Sequence, residues 1–274
     1  MNASQPRTFH YHADGSAFGG HISEPFQAVI PTQASASLAQ AGGYAHASIG
    51  SFRVQHVVSV KNAWTEIYGT SQKEQGTWTS MVTCVVEGLN VLDIVKADSI
   101  IARLTVRHPH KGYYPTVAFA GSQFTNLTIG GKLVEPKLDH ARFARSTAQR
   151  DAVHGPWESD ERLVGAAVKQ SRSMIEAEGA PDWLKSRYAW VGDPEERRRR
   201  GHIECSLVTH LIGAEPKDSF GHVLRIADVG NLFFSELAVD QGTFRLTMLR
   251  IEMGCLADGD LSVATANSNG RPSP

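Results

Sequence analysis

Between residues 24 and 130, apolar and polar positions alternate with a period of two, segment after segment. Trp78, Ser80, Val82, Cys84 and Val86 alternate with Thr77, Thr79, Met81, Thr83 and Val85. A Thr- and Val-rich stretch with that period predicts a strand. Asp98 to His108 repeats the pattern, with Ile100, Ala102, Leu104 and Val106 on one face and Ile101, Arg103, Thr105 and Arg107 on the other. Phe52–Val60, Ala63–Tyr68 and Leu89–Val95 are further candidate strands. Glycines punctuate the run at Gly42-Gly43, Gly69, Gly76, Gly88, Gly112 and Gly121. Gly130-Gly131, between short apolar segments, predicts a two-residue hairpin because both positions tolerate positive φ. Helix-length apolar periodicity is missing here, so the strands are expected to connect by hairpins and Greek-key loops. The fold class read from this pattern is mainly β: an antiparallel sandwich or barrel.

The texture changes near Asp139. Residues 141–201 carry 22 of the chain's 55 charged side chains in less than a quarter of its length. A charged helical excursion is expected over about residues 141–200. Within it, Glu158 to Glu178 reads as a helix with an apolar or small stripe at Val164, Ala167, Val168, Ser171 and Ile175 and an acidic first turn. Gly179 would stop it. Pro181 opens a second, short helix with Trp183, Leu184, Arg187, Tyr188 and Val191 on one face. Asp193-Pro194-Glu195-Glu196 reads as a cap, a first-position proline and an acidic turn, closed by Gly201. The excursion is expected to pack on the sheet or on a second subunit. Strands resume at His202–Ile212, Val223–Ile226, Leu232–Val239 and Thr243–Met253. The polar end, about residues 265–274, reads as a disordered tail. With strands on both sides of the excursion needed to complete one core, residues 1–274 read as a single β-rich domain with an insertion at about 141–201.

Composition narrows the function. Hydrophobic residues make up 41% and charged residues 20% of 274 positions, a globular composition. The net charge of −1 supplies no global field toward nucleic acid or an anionic membrane. No stretch approaches eighteen apolar residues and Met1–His12 lacks an apolar core segment, so neither a membrane span nor a signal peptide is expected and the chain reads as cytoplasmic. Cys84, Cys205 and Cys255 each lie in or at the end of an apolar run and read as buried free thiols, the alternative being one disulfide with one thiol left over. Asn126-Leu127-Thr128 fits a glycosylation acceptor only in a secreted eukaryotic chain.

Phosphate-loop, dinucleotide, nucleophile-elbow and zinc motifs are missing from the sequence. Histidine is the unusual residue. Two H-x-H pairs occur, His10-Tyr-His12 and His108-Pro-His110. Residues two apart on an extended strand point the same way, so each pair can offer two imidazoles to a divalent metal, with His21 as a further ligand. The competing expectation is polar loop histidines bonded to backbone carbonyls. Trp64, Tyr68 and Trp78, on adjacent strands, are candidates to line a ligand cavity, against core or cross-strand pairing. Arg103, Arg107, Glu66 and Glu87 are charges on strands that face a polar cavity or solvent. Glu204 and Glu252 flank apolar strand residues and would be candidate acids if buried. The Arg197–Arg200 run is read as completing one helical turn's dipole rather than as a phosphate site. Asp258-Gly-Asp260 reads as a turn.

The reading preferred from these features is a non-catalytic sandwich binding a small molecule or a protein partner. The alternative is a metal-dependent or acid–base enzyme with a histidine-based site in a barrel or sandwich cavity. A self-assembling homo-oligomer is the third.

Overall fold

The computed structural model describes residues 8–74, 76–110, 115–144, 157, 160–227, 229–240, 243–254 and 257–272. The chain opens with β1 (Phe9–Glu24), β2 (Ala28–Gln33) and β3 (Ala36–Ser37). Next come β4 (Gly43–Ile49), β5 (Phe52–Val54), β6 (Val58–Val60), β7 (Asn62–Gln72), β8 (Thr77–Val91) and β9 (Val95–Pro109). Short strands β10 (Thr116–Ala118), β11 (Gln123–Thr125), β12 (Thr128–Ile129), β13 (Lys132–Leu133) and β14 (Glu135–Leu138) precede the helices. These are α1 (Glu161–Ile175), α2 (Asp182–Tyr188) and α3 (Pro194–Arg200). The remaining strands are β15 (His202–Ser206), β16 (Val208–Ile212), β17 (Ser219–Phe220), β18 (Val223–Ile226), β19 (Gly230–Asp240), β20 (Thr243–Gly254) and β21 (Asp258–Pro272).

Two antiparallel sheets result. The first runs β17-β18-β19-β20-β21-β1-β2, with β15 also on β19 and β3 also on β1. The second is centred on β8 and β9. Strands β10, β11 and β12 lie along β9, β6 and β7 pair with β8, and β4 and β5 extend the far edge. A small third sheet joins β14 to β16. The sheets stay open and pack face to face, so the architecture is a sandwich rather than a barrel.

Residues from both inner faces meet in one contiguous apolar cluster. Phe9 stacks on Trp78 at 4.9 Å, and Phe18 meets Phe52 edge-on at 5.8 Å. Two polar pairs bridge the sheets: Ser80 Oγ and Ser268 Oγ lie 2.7 Å apart, and the Cys84 thiol donates to the Thr265 carbonyl at 3.1 Å, whereas the Thr65 and Tyr11 hydroxyls are buried without a partner. Gly15 lets β1 approach this closely, because a Cβ there would stand 2.7 Å from Cys84 Sγ and 2.8 Å from Val82 Cγ1. Cys84 and Cys205 are buried free thiols, and burial pushes the Cys84 thiol up to about 12. Cys255 lies outside the described residues.

The helices occupy the expected excursion with shifted boundaries. Helix α1 starts three residues after Glu158 because Asp160 caps it, accepting from the Leu163 N–H at 3.0 Å. Its buried face is Leu163, Ala167, Gln170, Ser171 and Met174, while Val164, Val168 and Ile175 are half-buried. The expected stripe was therefore centred to one side of the true one. Gln170 explains the rotation. Its amide donates to the Ser206 and Val208 carbonyls and accepts from the Ser206 N–H, all at 2.8–3.0 Å, which ties α1 to the corner between β15 and β16. Asp193 caps α3, and Gly201 ends it in the left-handed region, both as read from the sequence.

The expected disordered tail is overturned. Residues 265–272 belong to β21, which pairs with β1 along its whole length and with β20 from Asp258 to Ser268. Polarity misled because one face of this strand is a polar surface. Thr265 and Asn267 point outward, while Ala266 and Ser268 are buried. Asp258-Gly-Asp260, expected as a turn, opens the same strand.

Candidate functional site

The outer face of the first sheet is polar in rows that cross the strands. Glu204, Ala238, Arg245, Asn267 and Asp14 stand opposite one another on β15, β19, β20, β21 and β1. The next row is Glu236, Thr247, Thr265 and Ser16, followed by Phe233, Arg250, Ser262 and Gly19. Asn231, Glu252, Asp260 and His21 form another.

Strict alternation could not place these rows together. On β20 the outward residues are Arg245 and Thr247 at odd positions, then Arg250 and Glu252 at even ones. The phase changes between Met248 and Leu249, both fully buried. The same change occurs on every strand of the floor. Buried pairs Ala17-Phe18 and Val263-Ala264 interrupt the alternation of β1 and β21, and Ser235 interrupts β19. Ser235, Met248, Ala264 and Ala17 lie in line across the sheet, and the ladders skip this line without losing register. Ser235 (φ 49°) and Ala264 (φ 52°) adopt left-handed backbone there. Such positions cost a non-glycine residue of the order of 1 kcal/mol each, and they gather at functional sites. This crease turns two sets of side chains of opposite parity onto one face.

Over this face lies a groove of about 450 Å³. Its floor includes Ser16, Gly19, Thr247, Ser262, Thr265 and Asn267, and Arg187, Tyr188 and His222 come from elements at its side. Helix α2 is held there by Phe233, which points out of the sheet. The Arg250 guanidinium lies 3.8 Å above this ring, Arg187 4.8 Å, and Trp183 meets it edge-on at 6.3 Å.

A buried polar network lines the same side. Arg250 grips Glu236 with two hydrogen bonds, Nε to Oε2 at 2.6 Å and Nη2 to Oε1 at 2.8 Å. It also pairs with Glu252, which receives Arg187 Nη1 at 3.1 Å. The Tyr188 hydroxyl lies 3.1 Å from His222 Nε2 and donates to Glu236 Oε1 at 3.3 Å. Burial alone would raise the Glu236 carboxyl, but the Arg250 bonds and charge outweigh it and hold it below the usual carboxylate value. Burial pushes His222 down to about 4, against the pull of Glu236. Burial and the Glu236 charge raise Tyr188. His222 is thus neutral at pH 7. Its Nδ1 is buried without a hydrogen-bond partner.

The residues expected from the sequence are dispersed. His10 and His12 are exposed on the outer face of the first sheet, and His21 on that face pairs with Asp260. His108 and His110 lie at one end of the second sheet against aromatic rings. His108 is 4.9 Å from Phe9, and His110 is 4.3 Å from Trp78. Both have a buried Nε2 without a partner, and burial pushes His108 down to about 4. Among the described residues no group of three or more His, Cys, Asp or Glu side chains could hold a metal ion. The two H-x-H pairs stand on different sheets and His21 joins neither. Trp64 and Tyr68 share the outer face of the second sheet, with Tyr44 4.8 Å from Tyr68. Trp78 points into the core, so the three do not line one cavity. Arg103 bonds Thr83 at 3.2 Å on that outer face. Glu204 and Glu252 are half-buried and paired, Glu204 with His202 at 3.4 Å. In the Arg197–Arg200 run Arg199 is bidentate on Glu196, Arg200 also pairs with that carboxylate at 3.6 Å, and Arg197 donates to the Val191 carbonyl.

Glu236, Arg250 and His222 were not singled out from the sequence, and Tyr188 only as a residue on one face of the second helix. The usable signals were a glutamate inside the apolar run 232–239 and adjacent apolar pairs breaking period-two strands. Among the described residues no helix is long and apolar enough to cross a membrane. No curated protein and no solved structure matches the chain. A family model described as "Domain of unknown function (DUF8256)" matches residues 9–240, from the first residue of β1 to the last of β19, and the chain belongs to that family.

Proposed function

We propose that the chain is a binding protein whose ligand, a small hydroxyl-rich molecule of sugar size, lies in the groove over the first sheet. The observation that carries this reading is the crease. It brings rows of hydroxyl and amide groups onto one face beside a prearranged buried network. Thr247, Thr265 and Ser16 stand opposite one another on neighbouring strands, with the Thr247 and Thr265 hydroxyls 3.2 Å apart and bonded to each other. Each hydroxyl both donates and accepts, which suits a polyhydroxylated ligand. A groove of about 450 Å³ is within the ordinary range for small-molecule sites. Arg250, Glu236 and Glu252 satisfy one another, so the site does not demand an ion; Arg245 adds a donor to the floor.

The test is thermal unfolding against a panel of neutral sugars and the corresponding sugar acids. A saturable rise in midpoint is expected for at least one compound. It should vanish in Thr247→Trp, which fills the floor from the outward face. No shift across the panel, or a shift that survives Thr247→Trp, defeats the reading.

A second reading has its own observation. His222, neutral and 3.1 Å from the Tyr188 hydroxyl, lies at the wall of the groove, with its Nδ1 buried and without a hydrogen-bond partner. That is an acid–base pair beside a binding surface, which favours an acid–base enzyme over a metal-dependent one. Conversion of a bound compound, abolished in His222→Gln with binding retained, would establish it.

A further inference from the structure

A sheet edge is a row of unpaired backbone donors and acceptors, and proteins ordinarily blunt it with proline, charge or brevity. Most edges here are blunted in these ways. Strand β2 carries Pro31, β13 and β17 have two residues each, and β10 and β11 have three. Strand β4 differs. Gly43–Ile49 pairs only with β7, and its sequence Gly-Tyr-Ala-His-Ala-Ser-Ile holds neither proline nor a Lys, Arg, Asp or Glu. On its inner face Ala45, Ala47 and Ile49 pack against the core but are only half-buried. On its outer face Tyr44 is 55% exposed, and its neighbour Tyr68 40%.

We propose that β4 is a self-association edge, joining a second copy of this chain antiparallel across a two-fold axis. Full-length pairing of the strand with itself centres on His46. Tyr44 then faces Ser48 of the second copy, Ala45 faces Ala47, Gly43 faces Ile49, and His46 faces His46. Large residues meet small ones, no like charges of neutral-pH side chains meet, and the half-buried inner residues of both copies cover one another. The two second sheets become one continuous sheet. A closed two-fold pairing also uses up the edge, so assembly stops at the dimer. One strand pair with its flanking rings buries less than the roughly 1,200–2,000 Å² of a standard interface, so a dissociation constant in the micromolar range is expected.

Sedimentation of the full chain decides it. The wild type is expected to be dimeric at tens of micromolar. His46→Asp sets a carboxylate beside Glu66 in each copy, facing its twin, and should give a monomer with an unchanged circular dichroism spectrum. Val29→Asp, on the exposed β2 edge, should remain dimeric. A wild type that stays monomeric over that range overturns the proposal, as does a dimer indifferent to His46→Asp or one lost on Val29→Asp. If His46→Asp does not fold, hydrogen exchange of the wild type serves instead. Amides of residues 43–49 should exchange more slowly as concentration rises, and concentration-independent exchange there overturns the proposal.

Discussion

Glu236 is a carboxylate largely withdrawn from water, its side chain 20% exposed, and Arg250 is what makes that tolerable. Removing one partner of a buried ion pair leaves an uncompensated charge and typically costs about 3–5 kcal/mol. Arg250→Met is therefore expected to destabilise the fold in urea unfolding by up to that amount, less what the pair's residual exposure recovers, whereas Arg245→Met, a guanidinium exposed on the same strand, should cost under about 0.5 kcal/mol. His222 and His108 make a second residue-scale prediction. Both are held near 4 by burial, below the ordinary 6.5. The unfolded chain therefore binds more protons than the folded one between those values, and stability falls as the pH drops from about 6.5 to 4. Each histidine contributes roughly 3 kcal/mol to that loss. His108→Phe, set among Phe9 and Trp78, should remove about half of it; an unchanged acid limb would mean that the two histidines do not titrate this way.

At the scale of elements, the crease is the feature from which most follows. Ala264 sits in left-handed backbone at the middle of a strand, and Ala266, two residues on, sits in regular strand. Glycine in a strand interior usually costs about 0.5–1 kcal/mol relative to alanine, but at a left-handed position its freedom offsets that cost. Ala264→Gly should leave the unfolding midpoint unchanged or raise it, while Ala266→Gly lowers it. Equal losses at both positions would contradict the backbone conformation described for Ala264. The excursion offers a parallel comparison. Leu163 and Met174 of α1 are buried and Val168 half-buried, so Met174→Asp should cost several-fold more than Val168→Asp.

Strand periodicity was legible in Thr77–Val86 of β8 and Asp98–His108 of β9, and so were the caps of α3, because each is written in a few adjacent residues; the expected separate strand Leu89–Val95 is instead the end of β8, a turn and the start of β9. The crease was written too, as the pairs Ala17-Phe18, Met248-Leu249 and Val263-Ala264. Three such pairs mean little until the register aligns them, and register is a long-range property. The same limit hid the site. Glu236 and Arg250 are fourteen residues apart, and Tyr188 and His222 come from an excursion and a turn whose docking no local pattern specifies. Polar composition at 265–272 then pointed the wrong way, since a strand flooring a polar groove looks like a tail when read alone. Histidine spacing in turn identified pairs that share a strand face, which is necessary for metal ligation but places no third ligand.

At the scale of the whole molecule, the two sheets have divided roles. Their inner faces make one apolar core, and the first sheet's outer face is given over to hydrogen-bonding side chains beside a docked helical excursion. The second sheet bears Trp64, Tyr68 and Tyr44 outside, the surface that the sequence would favour for a ligand. The most direct test chooses between these faces. Amide chemical shifts of the labelled chain would be followed during titration with whichever sugar or sugar acid raises the unfolding midpoint. The perturbations are expected to centre on Ser16, Gly19, Arg245, Thr247, Ser262 and Thr265, with Tyr188 and His222 at their edge. Perturbations centred instead on Tyr44, Trp64 and Tyr68 would place the ligand on the second sheet and contradict the account.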